Sequence, residues 1–120
     1  MSKYMDLLVL PVKKARVDEW KKTATISAQV WKDLGAVATI DALVEDLIPG
    51  QVTSFAMAVK LEEDETLWIC QTFYPSRAAR DEMGVKYMAD PRITALEGIT
   101  DMPYDGKRSF YSGFEVQIEN

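Results

Sequence analysis

The chain has 120 residues, 48% hydrophobic and 28% charged, which suits one domain with its own core and no need of disulfide staples. Fourteen Lys and Arg against nineteen Asp and Glu leave a net charge of −5, and with no basic stripe the sequence speaks against nucleic acid and anionic membrane surfaces as partners. The lack of histidine excludes Ser-His and Cys-His nucleophile pairs, a His general base and His-ligated metal or haem.

Residues Tyr4 to Val12 read as a strand, and its run Leu7-Leu8-Val9-Leu10 is apolar on both faces. Pro11 is expected to end regular pairing. The N-terminal stretch is too short, and too interrupted by Asp6, to be a secretory leader; no segment reaches the ~20 apolar residues of a membrane span. Val17, Trp20, Ala24, Ala28, Trp31 and Leu34 recur at helical spacing and form one stripe. Asp18 and Glu19 suit the positive start of that helix, and Gly35 suits a left-handed stop.

A second strand covers Ala36 to Glu45, and Pro49-Gly50 marks a turn. Val52 to Lys60 read as a weaker extended segment. Glu62-Glu63-Asp64-Glu65 read as a solvated acidic turn without calcium-loop spacing. Leu67 to Tyr74 form a strand rich in aromatic and β-branched residues. Ser76 caps a helix running to about Met88, with Ala79, Met83 and Tyr87 facing inward. Asp90-Pro91 opens a short helix to about Glu97. Met102 to Gly106 make a turn, and Lys107 to Glu119 the last strand. Cys70 is the only cysteine, which points to a reducing cytoplasm and, at mid-strand, to a packed thiol.

The order strand, helix, strand, strand, helix, strand is an α+β pattern: a ferredoxin-like βαββαβ antiparallel sheet with two main helices, one domain over residues 1–120. Two helices cover one sheet face only. The apolar character of the other face predicts a homodimer joined through it, a dimeric α+β barrel. The alternative is a monomer in which Val52–Lys60 and Pro91–Glu97 fold over that face.

Of the two faces, the greasier set (Met5, Leu7, Val9, Leu67, Ile69, Phe73) is expected beneath the helices. The opposite set then lines a pocket between the sheet and its partner, with Tyr4, Asp6, Asp41, Trp68 and Thr72 as candidate ligand-binding residues, joined by Arg108 from the Asp105-Gly106-Lys107-Arg108 turn. Asp6 and Asp41 are carboxylates in mid-strand. They read either as acids or bases in a cavity or as partners of a cation such as Arg108 or Arg77. Arg77 and Arg80 read either as an anion site or as a solvated helix face. No cofactor and no metal is expected.

Several motifs also occur together and in order. They are Trp31 with Gly35-Ala36, Pro49-Gly50-Gln51-Val52-Thr53-Ser54-Phe55, Tyr74-Pro75-Ser76-Arg77-Ala78-Ala79-Arg80-Asp81, Met88-Ala89-Asp90-Pro91-Arg92, and Met102-Pro103-Tyr104-Asp105-Gly106-Lys107-Arg108 with Gly113-Phe114. In these the chain resembles the YbaA-like proteins, a bacterial group of unknown function. The resemblance spans nearly the whole chain and implies a dimeric α+β barrel. That superfamily also holds cofactor-independent monooxygenases, isomerases and small stress proteins. The family supplies no catalytic residues, and the histidines of its pattern near Arg80 and Leu34 are missing here. The expected function is therefore binding of a small organic molecule. The alternatives are a monooxygenase or isomerase with a carboxylate base, and a structural or interaction protein with a filled barrel.

Overall fold

In the computed structural model, residues 3–120 are described. Met1 and Ser2, part of the stretch read above against a leader, lie outside them. The elements are β1 (Tyr4–Lys13), α1 (Val17–Leu34), β2 (Ala38–Leu43), α2 (Phe55–Ala58), β3 (Glu65–Tyr74), α3 (Arg77–Ala89), α4 (Pro91–Thr94) and β4 (Phe110–Glu115). A single 3-10 turn, Lys14–Arg16, leads from β1 into α1.

The sheet has the order β2-β3-β1-β4, every neighbouring pair antiparallel. This is the ferredoxin-like topology that the element order predicts. The two strands with apolar residues on both faces, β1 and β3, take the centre, where both faces need cover.

The local stops follow from single residues. Gly35 adopts φ 111°, its N–H reaches the Lys32 carbonyl, and the Ala36 N–H reaches that of Trp31. This is a Schellman ending, which a β-carbon at Gly35 would strain. Ser76 accepts the Ala79 N–H at 3.1 Å and starts α3. Asp90 accepts the Arg92 N–H at 2.9 Å, with Pro91 at the first helical position of α4.

Three segments depart from expectation. Val52–Lys60 is not extended: Ser54 accepts the Met57 N–H at 3.1 Å and caps the one-turn helix α2. The last strand is shorter than Lys107–Glu119, because Asp105 accepts the Lys107 N–H and holds 105–109 in turns. Glu65 is not solvated. It is the first residue of β3 and is buried.

The two sheet faces are the reverse of the expected assignment. Trp20 and Ala24 of α1 pack on Leu10, Val12 and Trp68, so the helices lie over the face carrying Tyr4, Asp6, Leu8, Asp41, Cys70 and Thr72. The greasier face carries Met5, Leu7, Val9, Ile40, Leu67, Ile69, Phe73 and Phe114. Val59 and Leu61, just after α2, cover only its lower part, over Val9 and Leu67. The physical reason is that α1 brings its own tryptophans to the sheet. A face opposed by bulky rings needs fewer large residues, so the greasiest strand face is free to meet another surface.

The remainder of that face is open. Ile40 is 50% exposed and Phe110 and Phe114 45% each. The chain is flat, 40 × 37 × 21 Å, with a radius of gyration of 15.1 Å. A compact monomer of this length has about 13.6 Å. Its accessible surface of 7910 Å² likewise exceeds the ~6,600 Å² of a compact monomer of this mass.

Candidate functional site

Between the sheet and its helices lies a cleft of about 650 Å³. Its floor is Leu8 of β1, Asp41 of β2, and Cys70 and Thr72 of β3. These side chains share a face because strand side chains alternate and the register sets Asp41 opposite Cys70 and Leu8 opposite Cys70. The roof is one side of α1, with Trp20, Ser27 and Trp31. Tyr87 of α3, Ile93 of α4 and Tyr104 complete the walls.

The walls are built from ring contacts. Trp31 stacks on Tyr87 at 4.2 Å between centroids and meets Tyr74 edge-on at 5.5 Å. Trp20 meets Tyr104 at 4.9 Å and Trp68 at 6.3 Å, both edge-on. The Ser27 and Tyr87 hydroxyls hydrogen-bond at 2.8 Å and tie α1 to α3 above the cleft. Burial raises the Tyr87 pKa, with the Ser27 bond opposing it, and keeps the phenol protonated.

Asp41 is the polar feature of the floor. The Trp68 indole N–H donates to its Oδ1 at 2.7 Å, from a ring that is itself 5% exposed. That bond fixes the carboxylate through Oδ1, with the Cys70 thiol as its neighbour. Next to it, burial first and then the Asp41 charge push the Cys70 thiol up to about 12. Cys70 is thus a neutral thiol, a poor nucleophile, as its mid-strand position suggested.

A second polar group sits toward the start of β1. Tyr74, fully buried, donates its O–H to Asp6 Oδ2 at 3.1 Å. Burial, and then the Asp6 carboxylate, push the Tyr74 pKa up. Arg80 of α3 approaches Asp6 Oδ1 at 3.7 Å, donates to the Tyr4 hydroxyl at 3.2 Å and lies 4.9 Å over the Tyr4 ring. Arg80 thus clamps α3 to β1 through charge and cation–π contact.

The six candidate residues therefore separate. Asp41 and Thr72 line the cleft, and Trp68 orients Asp41 from beneath. Tyr4 and Asp6 belong to the Arg80 clamp. Arg108 is elsewhere. It binds Glu65 with both ends of its guanidinium at 2.7 and 2.5 Å, bonds Asp105 at 2.9 Å, and reaches the Val59 and Lys60 carbonyls. Its partners account for all of its visible bonding as an anchor of the turn. The cleft that Asp41 and Thr72 line lies between the sheet and its own helices, not on the sheet face expected to meet a partner. Trp31, Tyr87 and Tyr104 were read as core or turn residues, yet they form the cleft walls. Ser27 opposite Tyr87 was the available signal, because a hydroxyl on an apolar helix stripe keeps the roof from packing flush. Among the described residues, no group of three or more Cys, Asp or Glu is placed to hold a metal ion.

Comparison with known proteins agrees with this architecture. A ferredoxin-like protein from an uncultured marine organism, described as dimeric, superposes with a TM-score of 0.60 at 14% identity, each chain covered completely. SnoaB, a cofactor-independent oxygenase from Streptomyces nogalater, superposes with a TM-score of 0.56 at 12% identity over 99% of this chain and 97% of its own. At these identities the likeness is one of fold. In sequence, the uncharacterized protein YbaA of Escherichia coli (strain K12) is 38% identical over 117 residues, 98% of either chain. Residues 3–106 match the family described as Protein of unknown function (DUF1428), and with that match and the near full-length kinship to YbaA, the chain belongs to this family.

Proposed function

We propose that the protein binds a small, largely apolar organic molecule in the cleft between sheet and helices, as a homodimer joined through its opposite sheet face. The observation that carries the ligand reading is the Asp41 carboxylate, fixed by Trp68 on the floor of an aromatic-walled cleft of about 650 Å³. Ligand sites are typically of about 300–1,000 Å³, mostly apolar, with few well-placed polar groups. Native mass spectrometry of freshly purified protein tests this reading. A bound organic species is expected, and it should be reduced in a variant that fills the cleft, Ala28→Trp. An equal amount in the filled variant would place the molecule elsewhere and sink the reading.

The dimer reading rests on the open apolar face and the flat shape. Light scattering at micromolar concentration is expected to give twice the 13.6 kDa chain mass. Phe114→Asp puts a charge on that face and should halve the mass without loss of helical circular dichroism. A wild-type monomer would remove the dimer.

A second reading is a cofactor-independent oxygenase or isomerase. It is favoured by the likeness in fold to SnoaB and by the Asp41 carboxylate on the cleft floor, which would take a proton from an activated C–H or O–H of a bound substrate. In that case Asp41→Asn abolishes turnover while the molecule still binds.

A further inference from the structure

The cleft has a charge character that its shape alone does not convey. Among the described residues lining it there is no Lys and no Arg, and the chain has no His. Its acidic lining residues are Asp41 on the floor and Glu97 at the exposed rim. Asp41 makes no ion pair among the described residues, although fifteen such contacts link other groups. Its partner, the Trp68 N–H, is a neutral donor. It orients the carboxylate and leaves the charge uncompensated.

The walls add to this. Trp20, Trp31, Tyr87 and Tyr104 all border the cleft, and aromatic faces carry negative potential that attracts cations. A neutral ligand would strip water from Asp41 and return nothing for its charge. An anionic ligand would add repulsion. A ligand with an ammonium group would neutralise Asp41 while its apolar body covers the rings.

Resting on the cleft being a ligand site, we infer that it selects organic amines: a protonated or quaternary ammonium group directed to Asp41, carried on an apolar, ring-bearing body. Asp41 sets the charge preference, and the aromatic walls set the preference for a flat body. Thr72 and the Cys70 thiol, beside Asp41 on the floor, are neutral and do not offset the preference.

The test uses three probes of similar size and opposite charge character: 2-phenylethylamine, 2-phenylethanol and 3-phenylpropanoate. Each is titrated into the full chain at neutral pH, with tryptophan fluorescence and calorimetry as readouts. The amine is expected to bind about tenfold more tightly than the alcohol, and the acid most weakly. In Asp41→Asn the amide oxygen still accepts the Trp68 N–H, so the floor keeps its shape. There the advantage of amine over alcohol should fall below about threefold. Equal or tighter binding of the alcohol or the acid would overturn the amine preference and leave the cleft standing as a ligand site. An advantage that survives in Asp41→Asn would overturn Asp41 as its source. Binding of none of the three would overturn the ligand reading of the cleft, and this inference with it.

Discussion

Arg108→Ala is expected to lower folding stability by about 3 kcal/mol, the lower end of what breaking a buried ion pair costs. The Glu65 side chain is 1% exposed and has both oxygens on the Arg108 guanidinium. Removing the arginine leaves a buried carboxylate with the Glu62 N–H at 2.8 Å as its hydrogen-bond donor and the half-exposed Lys13 ammonium no nearer than 3.9 Å. The lower end applies because Arg108 is itself 17% exposed, so water can replace part of what is lost. Arg108→Lys should rescue little, since one ammonium cannot span Glu65, Asp105 and two carbonyls. Lys3→Ala, which breaks an exposed pair with Glu119, should change stability by no more than about 0.5 kcal/mol.

The pH dependence has a definite sign. The Arg108 bonds hold the Glu65 carboxyl below its ordinary value of 4.5. A lowered folded-state pKa adds stability that is complete above the unfolded value and fades as pH falls through the folded one. Urea melts of wild type and Arg108→Ala should therefore differ most near neutrality and converge in acid. A gap under about 1 kcal/mol near neutrality would show that the Glu65 pair is not an anchor.

The anchor also shows where the sequence was readable and where it was not. The cations after Asp105-Gly106 announced a carboxylate partner, and Arg108 has three, Glu62, Glu65 and Asp105. Which one mattered was hidden, because Glu65 stands at the end of an acidic run whose first three residues are exposed. Nothing local distinguishes the residue that begins the strand from those that end the loop. Only the register of β3 against β1, Lys13 opposite Glu65, turns it inward.

The order and type of the main elements were legible because each is written locally. Trp20 and Ala24 keep the period of α1, Gly35 ends it, and Ser76 and Asp90 cap α3 and α4. Choosing between the faces of the sheet was a different kind of problem. In β1 both sets are apolar, Met5-Leu7-Val9 and Leu8-Leu10-Val12, so alternation carries no sign. Greasiness pointed the wrong way. The helices supply Trp20, Trp31 and Tyr87, and rings of that size bridge to a sparse, partly polar face and enclose space. Among the described residues, the greasier face has no such opposing layer beyond Val59 and Leu61. Hence Asp41 and Thr72 were singled out for their polarity in mid-strand, yet assigned to the wrong side of the sheet.

Trp20→Ala is expected to cost about 3–5 kcal/mol, more than any other truncation along α1. Trp20 is 9% exposed, lies in one cluster with Leu10, Val12, Ala24 and Trp68, and makes edge contacts with two aromatic rings. Its removal opens the cleft into the core, so the usual loss of buried area is joined by a void. Trp20→Phe should cost less than about 1.5 kcal/mol, because the indole N–H of Trp20 is buried without a hydrogen-bond partner and its loss leaves no group newly unsatisfied. Trp31→Ala should fall between the two. Trp31 is half-buried, and its stacking on Tyr87 faces the cleft instead of the closed core. Chemical denaturation of the three variants gives the order directly. Equal losses for Trp20→Ala and Trp20→Phe would mean that the fit of the whole indole, and not aromatic bulk as such, holds α1 to the sheet. A larger loss for Trp31→Ala than for Trp20→Ala would move the core to the other end of the helix and close the cleft as a site.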